Sequence, residues 1–351
     1  MVEKIKTYDV LNEFDDCAIV MQGPVTCGDQ LDKNVISNIR KVRKAVPSLR
    51  IIVSCWELSE KNLILFSKIS SYIGFEVIYN KDPGGLLCFV RGAKYICNIN
   101  RMLVSTKSAL NIITEKYTIK FRTDSYISTN KILSVMKGYY SDQAHILHRN
   151  KEHSVFRERI LNGNLFARDA KGYLPYLFHP GDILLAGLTS DLNDLFKADL
   201  ASQEIFQIAQ RRYFYTMMKY VPEQYIWIEC IKMVTGKVPF KGNQYFSNEL
   251  ISISESYFVN NFYLIENKEV DFYWPKHKSH YNNKGKFSIY NKNDWYRLYN
   301  IYILKYPIDI KLALKKGLVI KIMIIYFTVR TYILKFPMLR MLAIKLFSRR
   351  G

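Results

Sequence analysis

At 351 residues the chain is long enough for one large domain or two ordinary ones and for a sizeable buried core. Its 49% apolar and 23% charged residues exclude wholesale disorder, while a net charge of +20 asks for a polyanionic partner: nucleic acid, an anionic membrane or phosphorylated substrates. From Lys305 to Gly351, eleven Lys and Arg face one acid, Asp309, so half of that charge sits in the tail.

In chain order, the apolar run Cys17-Ala-Ile-Val-Met21 closed by Gln22-Gly23-Pro24 predicts a strand running into a loop. Val35, Ile36, Ile39, Val42 and Val46 recur at helical spacing, and Pro47 ends that helix. Leu49 to Cys55 reads as a second strand ending at Trp56, and Ser59 to Ile73 as a helix stopped by Gly74. A third strand over Phe75 to Tyr79 exits into Asn80-Lys-Asp82-Pro-Gly-Gly85, followed by a polar helix over Asn98 to Glu115. Tyr117 to Phe121 is a fourth strand, with Arg122 and Asp124 at its end. Strands alternating with helices predict a parallel sheet with crossover connections.

In such sheets ligands bind at the carboxyl ends of the strands. Those ends here carry Gln22, Gly23, Trp56, Asp82, Arg122 and Asp124. Taken alone, an Arg-x-Asp pair reads as a surface ion pair; the other strand ends shift it toward a binding cleft. No G-x-G-x-x-G follows the first strand, and no G-x-x-x-x-G-K-[ST] occurs, which removes support for a dinucleotide enzyme or a P-loop NTPase.

The second half is less regular. Phe178-His179-Pro-Gly-Asp182 leads into an apolar run over Ile183 to Gly187. Asp191 to Phe196 begins a helix with Ser190 or Asp191 as its cap, and Pro222 opens another with Glu223 at its positive end. Val270 to Asn283 is aromatic and basic, with Trp274, His277 and His280. The six cysteines show no C-x-x-C spacing and several sit in apolar runs, so they read as free thiols in a reducing compartment. No apolar signal segment opens the chain, and a cytoplasmic location is expected.

After Pro307 the tail is apolar and basic. Its longest uncharged run, Ile322 to Val329, is far short of the ~20 residues that span a bilayer. Basic positions spread around the helix, but long side chains snorkel. A tail lying in the interface of an anionic leaflet is expected, each basic residue there contributing ~1 kcal/mol; a helical pair packed on the domain is the alternative. Charge gathered in an apolar tail, without a polar stripe, argues against nucleic acid.

Ile19-Val-Met-Gln-Gly-Pro24, Ile51-Ile-Val-Ser-Cys-Trp56, Asp82-Pro-Gly, Asn98-Ile-Asn-Arg-Met-Leu-Val-Ser-Thr106, Lys120-Phe-Arg-Thr-Asp124, Phe178-His-Pro-Gly-Asp182 and Pro222-Glu-Gln-Tyr225 come in one order. Over roughly residues 15–230 that order resembles the WavE-type lipopolysaccharide synthesis family. The resemblance implies a bacterial glycosyltransferase of lipopolysaccharide core, O-antigen or capsule synthesis. The implied fold is α/β, a GT-A-like (Rossmann-like) mostly parallel sheet flanked by helices. Residues 1–130 would form the nucleotide-sugar half, 131–300 the acceptor half, and 301–351 a basic helical tail.

The resemblance also implies roles. Gln22, Gly23 and Pro24 would hold the nucleotide, Trp56 stack on its base or close the pocket, Asp82 meet base or ribose, and Arg101 reach a phosphate or the donor. Asp124 stands at the second Asp of the D-x-D motif of GT-A enzymes, but Arg122 replaces the first. An Arg binds no metal; it pairs with a diphosphate instead. A divalent cation (Mg²⁺ or Mn²⁺) would then rest on Asp124 with a late histidine, His280 or His277. Glu223 resembles the x-E-D base, with Asp182 its rival and His179 orienting the acceptor. The expected partners are a nucleotide sugar, a lipid-linked or lipopolysaccharide-core glycan and the anionic face of the inner membrane, and no nucleic acid. A sugar nucleotidyltransferase and a non-enzymatic polyanion-binding protein are the alternatives.

Overall fold

The computed structural model describes residues 16–90, 93–144, 146–211, 214–275, 288–306, 310–333, 336–339 and 341–342. Its first half alternates as the periodicity requires: β1 (Cys17–Gln22), α1 (Lys33–Ala45), β2 (Arg50–Trp56), α2 (Glu60–Ile73), β3 (Glu76–Asn80), α3 (Ile99–Leu110) and β4 (Tyr117–Arg122). Every residue of β1 is buried, because it runs through the middle of the sheet with layers on both faces. Asp32 caps α1 by accepting the Asn34 N–H at 2.8 Å, and Val35, Ile39 and Val42 point inward from it. Each such buried aliphatic side chain contributes about 1.5–3 kcal/mol.

Two local expectations change. The helix expected to reach Glu115 ends at Leu110. The Glu115 carboxylate instead takes the Thr114 N–H and the Arg50 guanidinium, tying the segment to β2. Between β3 and α3 lies an antiparallel hairpin, Leu86–Val90 with Ala93–Cys97, that was not anticipated.

The chain continues through α4 (Lys131–Lys137), β5 (Ile160–Gly163), β6 (Leu184–Leu188), α5 (Thr189–Phe196), α6 (Pro222–Thr235), α7 (Asn248–Asn261), β7 (Phe262–Ile265), α8 (Lys292–Tyr302) and α9 (Ile310–Ile333). Asp191 does not cap α5; its N-cap is Leu188. The Asp191 carboxylate reaches across instead and accepts the N–H groups of Arg157 and Glu158 at 2.9 Å each.

The central sheet has seven strands in the order β7-β5-β6-β4-β1-β2-β3. It is mostly parallel: β3, β2, β1 and β4 run together, and β7 runs with β5. β6 alone is reversed, antiparallel to both β4 and β5. The amino end of β6 therefore lies at the same sheet edge as the carboxyl end of β4, with Leu184 beside Phe121. That reversal carries Asp182, two residues before β6, to the edge where Arg122 ends β4. α3 packs on β1 and β2, and α5 lies beside both α3 and α6. All six cysteines are free, four of them buried. Among the described residues no helix is long and apolar enough to cross a membrane.

Candidate active site

A cleft of about 400 Å³ opens at the edge where β4 and β6 meet. The β5–β6 loop walls it with Phe166, Arg168, Tyr176, His179, Asp182 and Ile183; the start of α6 adds Val221, Pro222 and Glu223. The start of α3 contributes Asn98 and Met102, and Arg122 and Trp274 complete the wall.

The loop is held by a backbone bond of its own and by side chains of β5 and α7. Arg168 N–H donates to the His179 carbonyl at 3.0 Å, Asn162 Nδ2 to Pro180 O at 2.6 Å, and Phe178 N–H to Ser254 Oγ at 2.7 Å. Gly181 sits at φ +86°, where a Cβ would come within 3.0 Å of the Leu165 carbonyl. Only glycine makes that turn without strain, and it is the turn that aims Asp182 into the cleft. On the other side, Pro222 occupies the first turn of α6, where its missing N–H costs nothing. Gln224, fully buried, fixes that helix start by accepting the Val221 N–H at 2.9 Å and donating to Leu177 O. Glu223 is thereby held at the helix N-terminus, facing the loop.

Beneath the cleft lies Lys120. It sits mid-strand in β4 with no exposed surface, and its ammonium donates to Asp182 O at 2.5 Å and Oδ2 at 3.3 Å. Burial, opposed by Asp182, holds its pKa below the usual lysine range. An ammonium taken out of water carries a penalty of several kcal/mol, so a core strand does not adopt one for packing alone. Burial, then the charge of Asp182, pushes the Glu223 carboxyl up to about 7, while its own backbone N–H, Arg168 and Lys120 pull it down. Burial, then Arg168, holds His179 well below the usual imidazole range, which keeps it neutral. Its Nε2 lies 3.4 Å from Glu223 Oε2.

Arg122 grips Asp124 with two bonds, Nε to Oδ1 at 2.9 Å and Nη2 to Oδ2 at 3.1 Å. Trp274 covers the guanidinium, its ring centre 5.4 Å from Cζ. Burial works against the Arg122 charge, but the bonded carboxylate more than offsets it and the pKa is raised. Asp124 itself is not among the residues that line the cleft.

The structure thus brings together four residues that the sequence singles out: Arg122, His179, Asp182 and Glu223. The others stand apart from this cleft wall. Gln22 is buried and accepts the Ser105 hydroxyl at 2.9 Å, tying β1 to α3. Gly23, at φ +132°, passes so close to Thr123 that a Cβ would meet its Oγ1 at 2.9 Å; Pro24 O accepts that same hydroxyl. Trp56 ends β2 and pairs in register with Asn80. Asp82 and Arg101 form a half-exposed two-bond ion pair, at 2.8 and 2.7 Å. Lys120, Arg168, Tyr176 and Trp274 were given no site role in the sequence reading. The signal available for Lys120 was a lysine flanked by Ile119 and Phe121 inside an apolar strand.

Among the described residues no three His, Cys, Asp or Glu side chains cluster as ligands, and the Asp124 carboxylate is already bound through both oxygens to Arg122. His277 and His280 lie outside the described residues.

A mostly parallel α/β sheet whose one reversed strand builds a cationic and carboxylate cleft at the carboxyl edge defines the class of protein. The chain belongs to the WavE lipopolysaccharide synthesis family, whose profile matches residues 17–325. No curated protein matches it. Among solved structures it is similar to a cytidylyltransferase from Leptospira borgpetersenii at 14% identity, over 53% of this chain and 66% of that one, with a TM-score of 0.31. It is similar to the galactosyltransferase LgtC bound to donor and acceptor sugar analogues at 12% identity, over 52% and 60%, with a TM-score of 0.30. Residues 1–349 of TarS from S. aureus share 9% identity over 82% and 70%, with a TM-score of 0.29. Scores this low leave the fold to be read from the sheet itself.

Proposed function

We propose that the protein is a glycosyltransferase of GT-A-like organisation that moves a sugar, a hexose or a relative, from a nucleotide sugar to a lipid-linked glycan in lipopolysaccharide synthesis. One observation carries the reading: a cation, Arg122, and two carboxylates, Asp182 and Glu223, line one cleft at the strand ends. Glycosyl transfer needs both. The bond from the sugar's anomeric carbon to the diphosphate breaks, and the diphosphate leaves with its electrons. Arg122, joined by Arg168, neutralises that charge. The acceptor hydroxyl attacks the same carbon and gives its proton to Glu223, whose pKa near neutrality suits a general base. Asp182 accepts sugar hydroxyls, and Trp274 and Tyr176 offer ring faces to the sugar. No step here requires the cation expected at Asp124.

The second element is the surface of α9. Leu314, Leu318, Ile322, Ile325, Val329 and Tyr332 are all exposed. At ~100° per residue they fall within an arc of roughly 80°. Ile320 is buried on the opposite face, and Phe327 stacks on Tyr173 of the β5–β6 loop, rings 4.6 Å apart and 14° from parallel. Lys321 and Arg330 are exposed on the same helix. The helix thus has one apolar face on the body and one that is exposed among the described residues, in the most basic part of the chain. We place that stripe in the anionic cytoplasmic leaflet of the inner membrane, so that the cleft meets acceptors whose lipid stays in the bilayer.

The test is a panel of nucleotide sugars with lipopolysaccharide-core acceptors, read by mass spectrometry and by release of nucleotide. Glycosylated acceptor with free nucleoside mono- or diphosphate supports the reading. Pyrophosphate released from a nucleoside triphosphate and a sugar phosphate would establish the nucleotidyltransferase instead. Flotation with phosphatidylglycerol vesicles checks the helix: Leu318→Asp with Ile325→Asp should abolish binding. Unchanged binding in that variant removes the stripe from the reading, and equal affinity for DNA removes the membrane.

A further inference from the structure

We propose that Lys120 is a positioning residue of the cleft: enclosed within β4, it clamps Asp182 and governs the charge that Asp182 presents to Glu223. This rests on the reading of Glu223 and Asp182 as the working carboxylates and extends it to a residue that never touches substrate.

The geometry is one-sided. Thr118, Lys120 and Arg122 share one face of β4. Thr118 is spent on Thr189 at 2.8 Å, and Arg122 reaches the cleft wall. Lys120 lies between them with no exposed surface, its ammonium 5.0 Å over the Phe196 ring of α5 and bonded to Asp182 through both the carbonyl and a carboxylate oxygen. The two bonds tie both the backbone of the turn and the side chain to β4, so β4 and the Gly181 turn together set the position of Asp182. Asp182 and Glu223 both face the cleft, and like charges so placed disfavour one another. Lys120 is the cation enclosed on the Asp182 side of that pair. Arg168 acts on Glu223 from the loop, His179 touches it, and Arg122 faces Lys120 along the strand.

The signs follow. Lys120 and Asp182 act oppositely on Glu223, and Asp182 acts more strongly. Removing the lysine alone makes Glu223 harder to ionise. Removing both charges makes it easier to ionise than in the native protein. A general loosening of the site would hydrate Glu223 and lower its midpoint in both variants.

The experiment is a ¹³C NMR titration of the Glu223 carboxyl in the full chain, its resonance assigned by its loss in Glu223→Gln. Lys120→Met is expected to raise the midpoint from about 7, and Lys120→Met with Asp182→Asn to bring it below the native value. The double variant leaves no unpaired buried charge, so it remains informative where the single variant folds poorly. A midpoint unchanged or lowered in folded Lys120→Met, or a double variant at or above the native value, overturns the proposal. The titration needs no turnover. Its failure is therefore distinct from failure of the transfer assay, which would strike the glycosyltransferase reading alone.

Discussion

The two halves of the sheet's carboxyl edge use similar residues for different ends. On the β1–β3 side, polar groups are spent within the chain: Gln22 on Ser105, Asp82 on Arg101, Asn80 on Ser54 and the Cys55 carbonyl. On the β4–β6 side, Arg122, His179, Asp182 and Glu223 border open volume. Strand direction makes the difference. Parallel neighbours leave the chain at one edge and cover it with their own crossovers. A reversed strand enters at that edge and brings a charged turn with it.

The sharpest way to break this contrast is Glu223→Gln. Transfer should fall ~10²–10⁴-fold, as for loss of a general base, while the fold persists. The sign of the stability change is also fixed. Glu223 titrates at about 7 folded against 4.5 ordinarily, so between those values the folded chain binds the extra proton. Its contribution therefore falls as pH rises through that window. The variant should be more stable than the native protein at pH 8, by ~2 kcal/mol after discounting for partial exposure, and equal to it at pH 4. Thermal melts at the two pH values check this. An active variant would move the chemistry elsewhere on the edge.

Gly23→Ala tests the other half. At φ +132° with Thr123 Oγ1 in the way, it should cost about 2–3 kcal/mol in denaturant unfolding. The pH profile of the surviving enzyme should not change. A smaller loss is expected from Gln22→Met, which orphans the buried Ser105 hydroxyl from one partner: ~1–2 kcal/mol. If donor affinity falls in proportion instead, the β1 end belongs to the site after all. Asp82→Asn should be the mildest, under ~1 kcal/mol, because both partners of its pair are more than a third exposed. A large rise in donor KM there would place the base or ribose beside Asp82.

The same contrast explains what was legible in the sequence. β1 to β4 and their helices follow from local periodicity, and the strand-end residues follow from them. The hairpin at 86–97 was not legible, because its two five-residue strands lie outside the β-α alternation of the central sheet and pair only with each other. Arg122, Asp182 and Glu223 were found because each sits at a strand or helix terminus. Lys120, Arg168 and Trp274 were not, since their meeting depends on β6 inserting between β4 and β5, and no local pattern records a long-range insertion. Asp124 was weighted for the D-x-D likeness; its grip on Arg122 is a property of the folded pair.

The insertion of β6 also orders events in time. All of β1 to β4 precedes Asp182 in the chain, ending at Arg122, whereas the carboxylate that Lys120 needs lies 62 residues after it. Long-range pairing must first overcome the entropy of closing such a loop. The nascent chain therefore has a sheet before it has a cleft, and the buried ammonium of Lys120 waits for a counter-ion that arrives only with the turn into β6. Glu223, carried by α6 still further along, joins the cleft only after that, so a half-folded molecule lacks the proposed base.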